Sequence, residues 1–256
     1  EAFHVYSFQN YELLQQNDVP EILKADLSVI YLTLLGCQIQ NIAEFDFLTQ
    51  PSANQKRMAL KNLLQQNLII FENKQFKLTH LGQQVVQLPL EIPEALAIIF
   101  SLKTCTQTSD KVCKLIAILN SVEQFFSQAS DDVKQQRKQF LNNKSDHLML
   151  LSIFEQFIES DNQQSFCKRF GVQMRTMEYI HRVYLQLIEI RAQLLKKEQI
   201  QLQNGEFDEK DIIKVLSQGY KNNIVLRGKD DRSYEKEGLV TMIHPSSGVK
   251  GGPKLM

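Results

Sequence analysis

Apolar residues recur every three or four positions through Met174, Met177, Ile180, Val183, Leu187, Ile190 and Leu194. That spacing places them on one face of a helix. Neither Gly nor Pro interrupts residues 173–203, so the pattern predicts one long helix there. At ~1.5 Å per residue it would be a rod of about 45 Å, enough for a spine with a domain hung on each end. Sustained heptads, the mark of a coiled-coil arm, are absent.

The same reasoning applies upstream. Residues 3–6 read as a short strand and 10–16 as a turn or short helix. Leu27, Ile30, Tyr31, Leu34 and Leu35 share a helical face, and Gly36 is the expected stop. Ala59, Leu60, Leu63 and Leu64 mark a second helix over 55–66. Two short apolar runs, 68–71 and 75–78, flank Asn73-Lys74 and predict a β-hairpin. Thr79 is placed to cap a further helix through Val86.

Helix, helix, hairpin is the order of a winged helix. Lys56, Arg57 and Lys61 lie on its second helix, where a DNA reader would carry basic residues. Residues 1–90, however, hold six basic and eight acidic side chains, which favours docking over groove readout.

From residue 91 to 203 the pattern is helical throughout, over 94–102, 111–119, 133–141, 147–158 and 163–170 before the long rod. Ser145 stands at the expected N-cap of the fourth. Past Gly205, 208–216 predicts one more helix. Residues 224–226 and 239–243 then read as strands joined by a charged loop. The fold class expected is mainly α with small β elements.

Lys+Arg and Asp+Glu balance at 29 each, so net charge decides nothing about nucleic acid. No apolar run approaches the ~18 residues that would span a bilayer, and no signal-peptide pattern is present. Cys37, Cys105, Cys113 and Cys167 are widely separated, without a CxxC pair, so buried thiols are expected rather than a metal site. Asp131-Asp132 and Asp230-Asp231 are adjacent pairs, which do not share a helix face and read as turns or caps. Neither a catalytic constellation nor a phosphate loop of the GxxxxGK[ST] type is readable.

One local feature points to nucleic acid. Lys214, Lys221, Arg227 and Lys229 follow one another without an intervening acid, and Tyr220 is interleaved. Single strands are held by basic grooves with stacking side chains. Asn222, Asn223, Ser246 and Ser247 could bond phosphate or a ribose hydroxyl. In the helical part Lys168, Arg169, Arg175 and Arg182 are further candidates.

A set of landmarks then runs in one order along the chain. It comprises Val19-Pro20-Glu21-Ile22, Asp26-Leu27-Ser28, Phe45-Asp46-Phe47-Leu48 with Pro51, and Leu78-Thr79 with Leu81-Gly82. Pro89-Leu90 with Pro93, Ser145-Asp146-His147-Leu148, Cys167 with Arg175, Gly219-Tyr220 with Asn223, and His244-Pro245-Ser246-Ser247 complete it. Together they resemble the C-terminal half of DEAH-box RNA helicases.

The resemblance implies an exit segment from the second RecA-like motor domain over 1–19. A winged helix over 20–88, a helical ratchet-like domain over 89–205 and a partial OB-like domain over 206–256 would follow. ATP and Mg²⁺ would be bound by motor domains outside this chain. With Glu1 in place of Met, the sequence reads as a piece of a longer protein. The implied partners are single-stranded RNA, the motor domains and, in some members, a glycine-patch activator protein. An intracellular setting, nuclear or cytoplasmic and without membrane attachment, goes with them. The RNA-binding residues implied or suggested are Arg175, Lys221, Asn223, Arg227, Lys229, His244, Ser246 and Ser247. No residue is expected to be catalytic, to bind a cofactor or to hold a metal.

There are departures. Phe166 stands where the family usually has Trp, and Tyr184 where it often has Arg. Two rival readings are a non-catalytic interaction scaffold derived from a helicase and a winged-helix DNA-binding protein.

Overall fold

The computed structural model describes residues 3–15, 17–127, 130–142, 145–228, 233–236, 238–244 and 247–249. The chain forms two compact units, Glu1–Gln87 and Leu88–Met256. It is mainly helical, with two small antiparallel sheets among the described residues.

The first unit begins with a short helix, α1 (Phe8–Glu12), capped by Ser7. The strand expected over 3–6 does not form: these residues are exposed, without a pairing strand to supply backbone partners. Helix α2 (Leu27–Gly36) follows Asp26, whose carboxylate accepts from the Ser28 amide. It stops at Gly36, as expected, but Gly36 is not the left-handed residue. The left-handed residue is Gln38, at φ 65°, and the amides of Gln38 and Ile39 close onto the carbonyls of Leu35 and Leu34.

Helix α3 (Ala53–Gln65) opens on a reciprocal capping box between Ser52 and Gln55. The hairpin pairs β1 (Ile69–Glu72) with β2 (Gln75–Leu78) in the register Glu72↔Gln75. Asn73 and Lys74 both take positive φ, 51° and 63°, as a two-residue turn matched to strand twist requires. Thr79 caps α4 (His80–Val86) through the Gly82 amide. A Cβ on Gly82 would lie 2.1 Å from the Leu68 carbonyl oxygen, so only glycine lets α4 approach the hairpin there. Tyr31, Ile42, Leu63, Leu68 and Ile69 fill the centre of this unit.

The second unit is a helical assembly. Helices α5 (Ile92–Ser101), α6 (Thr106–Leu119), α7 (Asp131–Arg137), α8 (Asp146–Glu159), α9 (Gln163–Phe170), α10 (Met174–Lys197) and α11 (Glu209–Gly219) follow in order. Ser145 occupies the N-cap position of α8 but makes no side-chain cap; its amide donates instead to Asn142 Oδ1.

The core lies around α5, α6 and α8, with Ile98, Val112, Leu115, Ile116, Ile153 and Phe154 sealed from solvent. The long rod is shorter than expected. It stops at Lys197 because Gln199 turns left-handed and the Ile200 amide returns to the Leu195 carbonyl. It is also not a free spine: α10 packs along α6 inside the unit, burying Met177, Ile180, Leu187 and Leu194 from the predicted face.

Helix α11 packs along α5. A Cβ on Gly219 would fall 2.6 Å from the Pro93 carbonyl oxygen and 2.9 Å from the Ala97 amide nitrogen. The two backbones meet where a side chain would stand. Beyond α11 lies an antiparallel meander of β3 (Leu226–Arg227), β4 (Ser233–Lys236) and β5 (Leu239–Met242). The expected charged loop therefore contains a strand. Its Tyr234 is only 1% exposed, which gives this sheet a buried anchor.

Candidate nucleic-acid interface

The sequence-predicted residues fall into two groups. Arg175 is the second residue of α10. What precedes it is fixed by backbone: Gly171 ends α9 in the left-handed region, and the Gln173 amide donates to the Phe125 carbonyl. Arg137 holds this corner. Its Nε donates to the Phe170 carbonyl at 2.6 Å and its Nη2 to the Gly171 carbonyl at 2.7 Å, while its guanidinium lies over the Phe126 ring. Burial pulls the Arg137 pKa below its ordinary value. Arg169 is engaged with Gln136 and with the Phe170 ring. Lys168, Arg175 and Arg182 present exposed cations. A cavity of about 450 Å³ opens beside Lys168, with Ser130, Gln164, Cys167 and Met174 also in its wall.

The second group follows α11. Lys221 and Asn223 share a 3-10 turn (Lys221–Asn223) and are exposed. Tyr220 is half-buried; burial, then the charge of Glu94, pushes its hydroxyl up to about 12. Its ring is therefore not an open stacking platform. Arg227 lies in β3 opposite Tyr234. His244 is exposed, and its carbonyl accepts the Ser247 amide at 2.9 Å. Lys221, Arg227 and His244 each make an interaction within the chain. Lys229 and Ser246 lie outside the described residues. Ser247 is half-buried and bonded to Asp146. Both groups are carried by helices that pack on α6, Arg175 by α10 and the rest by the segment after α11.

One set of polar residues escaped the sequence reading. Glu155 on α8 accepts from Lys111 at 2.6 Å and from Lys114 at 3.0 Å, both on α6. Lys114 also pairs with Asp110 at 3.1 Å, and the Tyr184 hydroxyl on α10 donates to Asp110 at 2.8 Å. Burial, followed by that bond, pushes Tyr184 up to about 12. Burial acts to lower the Lys114 pKa, but its bonds to Glu155 and Asp110 prevail and raise it. Of these, only Asp110 and Lys114, four apart on one helix, leave a spacing signal that could have found them. Tyr184 thus keeps a polar contact at the position where the resembled family often has Arg.

Among the described residues no group of three or more His, Cys, Asp or Glu is placed to hold a metal ion. Nor is any described helix long and apolar enough to cross a membrane.

No protein-family model matches the chain. Among curated proteins it is 28% identical over 190 residues to ATP-dependent RNA helicase DHX33 of Mus musculus, covering 74% of this chain and 27% of the relative. It is 23% identical over 248 residues to ATP-dependent RNA helicase HrpA of Borreliella burgdorferi, covering 96% and 29%. Over 238 residues it is 27% identical to pre-mRNA-splicing factor ATP-dependent RNA helicase prp22 of Schizosaccharomyces pombe, covering 91% and 20%. The chain is similar to ATP-dependent RNA helicases. It spans between a fifth and a third of the length of these helicases. The helicase similarity over 96% of the chain takes in both compact units.

Proposed function

We propose that this chain is the C-terminal accessory region of a DEAH-box ATP-dependent RNA helicase. In this reading 20–88 is a winged helix, 89–205 a ratchet-like domain and 206–256 a partial OB-like domain. The region roofs an RNA channel while RecA-like motor domains bind ATP and Mg²⁺ and perform the hydrolysis. The observation that carries the reading is the helicase similarity running along 96% of the chain. The basic residues of α3 agree with it: Lys56 bonds Gln50 and Arg57 bonds Asn54, so both are used within their own unit. Met58 and Leu64 on α3 and Ile70 and Phe71 on β1 are exposed apolar side chains, each open to contact with a docking protein of the glycine-patch kind.

RNA passes, in this proposal, between the start of α10 and the segment after α11. Contacts there are to phosphates, which position a strand without reading its sequence. Fluorescence anisotropy on a mixed-sequence oligonucleotide across a salt series tests this. Arg175→Glu combined with Arg227→Glu is expected to weaken binding to all sequences alike. It should flatten the log–log salt slope by about 1.4, at ~0.7 per phosphate contact on a single strand. Lys56→Glu combined with Arg57→Glu is expected to change neither. The reverse pattern would overturn the proposed path and favour a DNA-binding winged helix.

A further inference from the structure

Two of the sequence landmarks, 101 residues apart, meet in the structure. Asp146 is the first residue of α8, where a helix N-terminus favours negative charge. Its two carboxylate oxygens are each taken by the segment after β5. The Ser247 hydroxyl donates to Oδ2, and the Gly248 amide donates to Oδ1 at 2.8 Å. The Ser247 oxygen in turn accepts the Val249 amide at 3.2 Å. Gly248 and Val249 are buried. A Cβ on Gly248 would lie 3.1 Å from Leu141 and 3.4 Å from the Asp146 carboxylate, so the segment lies flat against this corner.

We infer that residues 247–249 are a strap that grips Asp146 and fixes the end of the β3–β5 meander to the helical bundle. Ser247 is then a positioning residue and not a contact to RNA. The chemistry of the donors decides between the two roles. A phosphate oxygen only accepts hydrogen bonds, and a serine hydroxyl has a single proton to give. That proton goes to Asp146, as does the Gly248 amide proton. An incoming phosphate would find neither donor open and would meet a carboxylate of its own sign. Asp146 at the start of α8 and the Ser247-Gly248 pair far along the chain are thus each other's partners.

The test uses the whole chain and two readouts, and only the second rests on the proposed RNA binding. The first is amide exchange at Gly248 and Val249 in the parent, Ser247→Ala, Asp146→Ala and the double variant. A hydrogen bond to a charged group is worth ~1.5 kcal/mol or more, so each single change should speed exchange about tenfold or more. At the Gly248 amide the double variant should exchange no faster than Asp146→Ala, because that change alone already removes both bonds to the carboxylate. Unaltered exchange in both singles, or additive acceleration, would overturn the strap. Ser247→Ala leaves the start of α8 intact and so keeps the test valid if Asp146→Ala folds poorly.

The second readout is the affinity for a single-stranded RNA oligonucleotide at fixed salt. Ser247→Ala is expected to leave it unchanged. A loss of about tenfold, the worth of a hydrogen bond to a charged phosphate, would mean a lost phosphate contact and would overturn the positioning role. If the parent chain binds no RNA, the proposed function falls, and the exchange measurement alone decides the strap.

Discussion

Helix α5 turns eight of its ten residues into the interior, whereas α10, more than twice as long, buries five of twenty-four. Helix α5 is covered by α6 on one side and α11 on another, and it is apolar nearly all round. Its two buried polar side chains have partners: Ser101 bonds the Ile98 carbonyl and Ser109, and Glu94 accepts from Asn120. Helix α10 lays a single stripe on α6 and leaves Arg175, Arg182 and Leu185 in solvent. The number of covered sides, more than length, sets what a helix contributes to the core. The same geometry leaves the outer faces of α10 available for ligands.

Truncation should separate the two helices most sharply. Ile98, at 0% exposure, should lose about 2–5 kcal/mol on Ile98→Ala, through lost burial and the cavity left behind. Leu185, 49% exposed, should lose no more than ~0.5 kcal/mol on the same change. Denaturant unfolding of the second unit measures both. Equal losses would break the comparison.

A smaller effect concerns Glu94 of α5. Burial is the main cause that raises its pKa above the ordinary 4.5, and the bond from Asn120 opposes it. Between 4.5 and the raised value the folded chain binds more protons than the unfolded chain. Stability therefore falls as pH rises through that window and stays lower above it. Glu94→Gln should remove this fall and stabilise the second unit at neutral pH, by less than Ile98→Ala costs. Midpoints measured from pH 4 to 8 check the sign; a stability that rises with pH in the parent and not in the variant would contradict it. A modest change is expected at the polar contact of α10. Tyr184→Phe removes one donor to Asp110 and should cost ~1–2 kcal/mol, since that carboxylate keeps Lys114 as a partner.

The stripe of α10 was legible because one buried face leaves a 3.6-residue period in the sequence. The centrality of α5 was not, because a helix buried on several sides has little period to read. Asn73-Lys74 and Thr79 were legible because turn and cap chemistry is local. The end of α10 was not, since Gln199 adopts a left-handed backbone without glycine or proline to mark it. Strand β4 was hidden by its own composition: Ser-Tyr-Glu-Lys reads as a polar loop until Tyr234 is seen to be buried. In the candidate site, the positions of Arg175 and of the Lys221–Asn223 turn followed from helix ends that could be read. The engagement of Ser247 with Asp146, like that of Glu155 with Lys111, joins residues far apart in sequence and left no local trace.

The close approach of α11 to α5 at Gly219 also has a meaning in time. Synthesis must add 219 − 101 = 118 residues after α5 is complete before the helix that covers it exists in full. At ~5–20 residues per second that interval is about 6–24 s. Throughout it, the most apolar helix of the second unit lacks its α11 neighbour, while every contact of the first unit joins segments already made. The nascent chain thus carries the most apolar helix of the second unit without its α11 neighbour while those further residues are made.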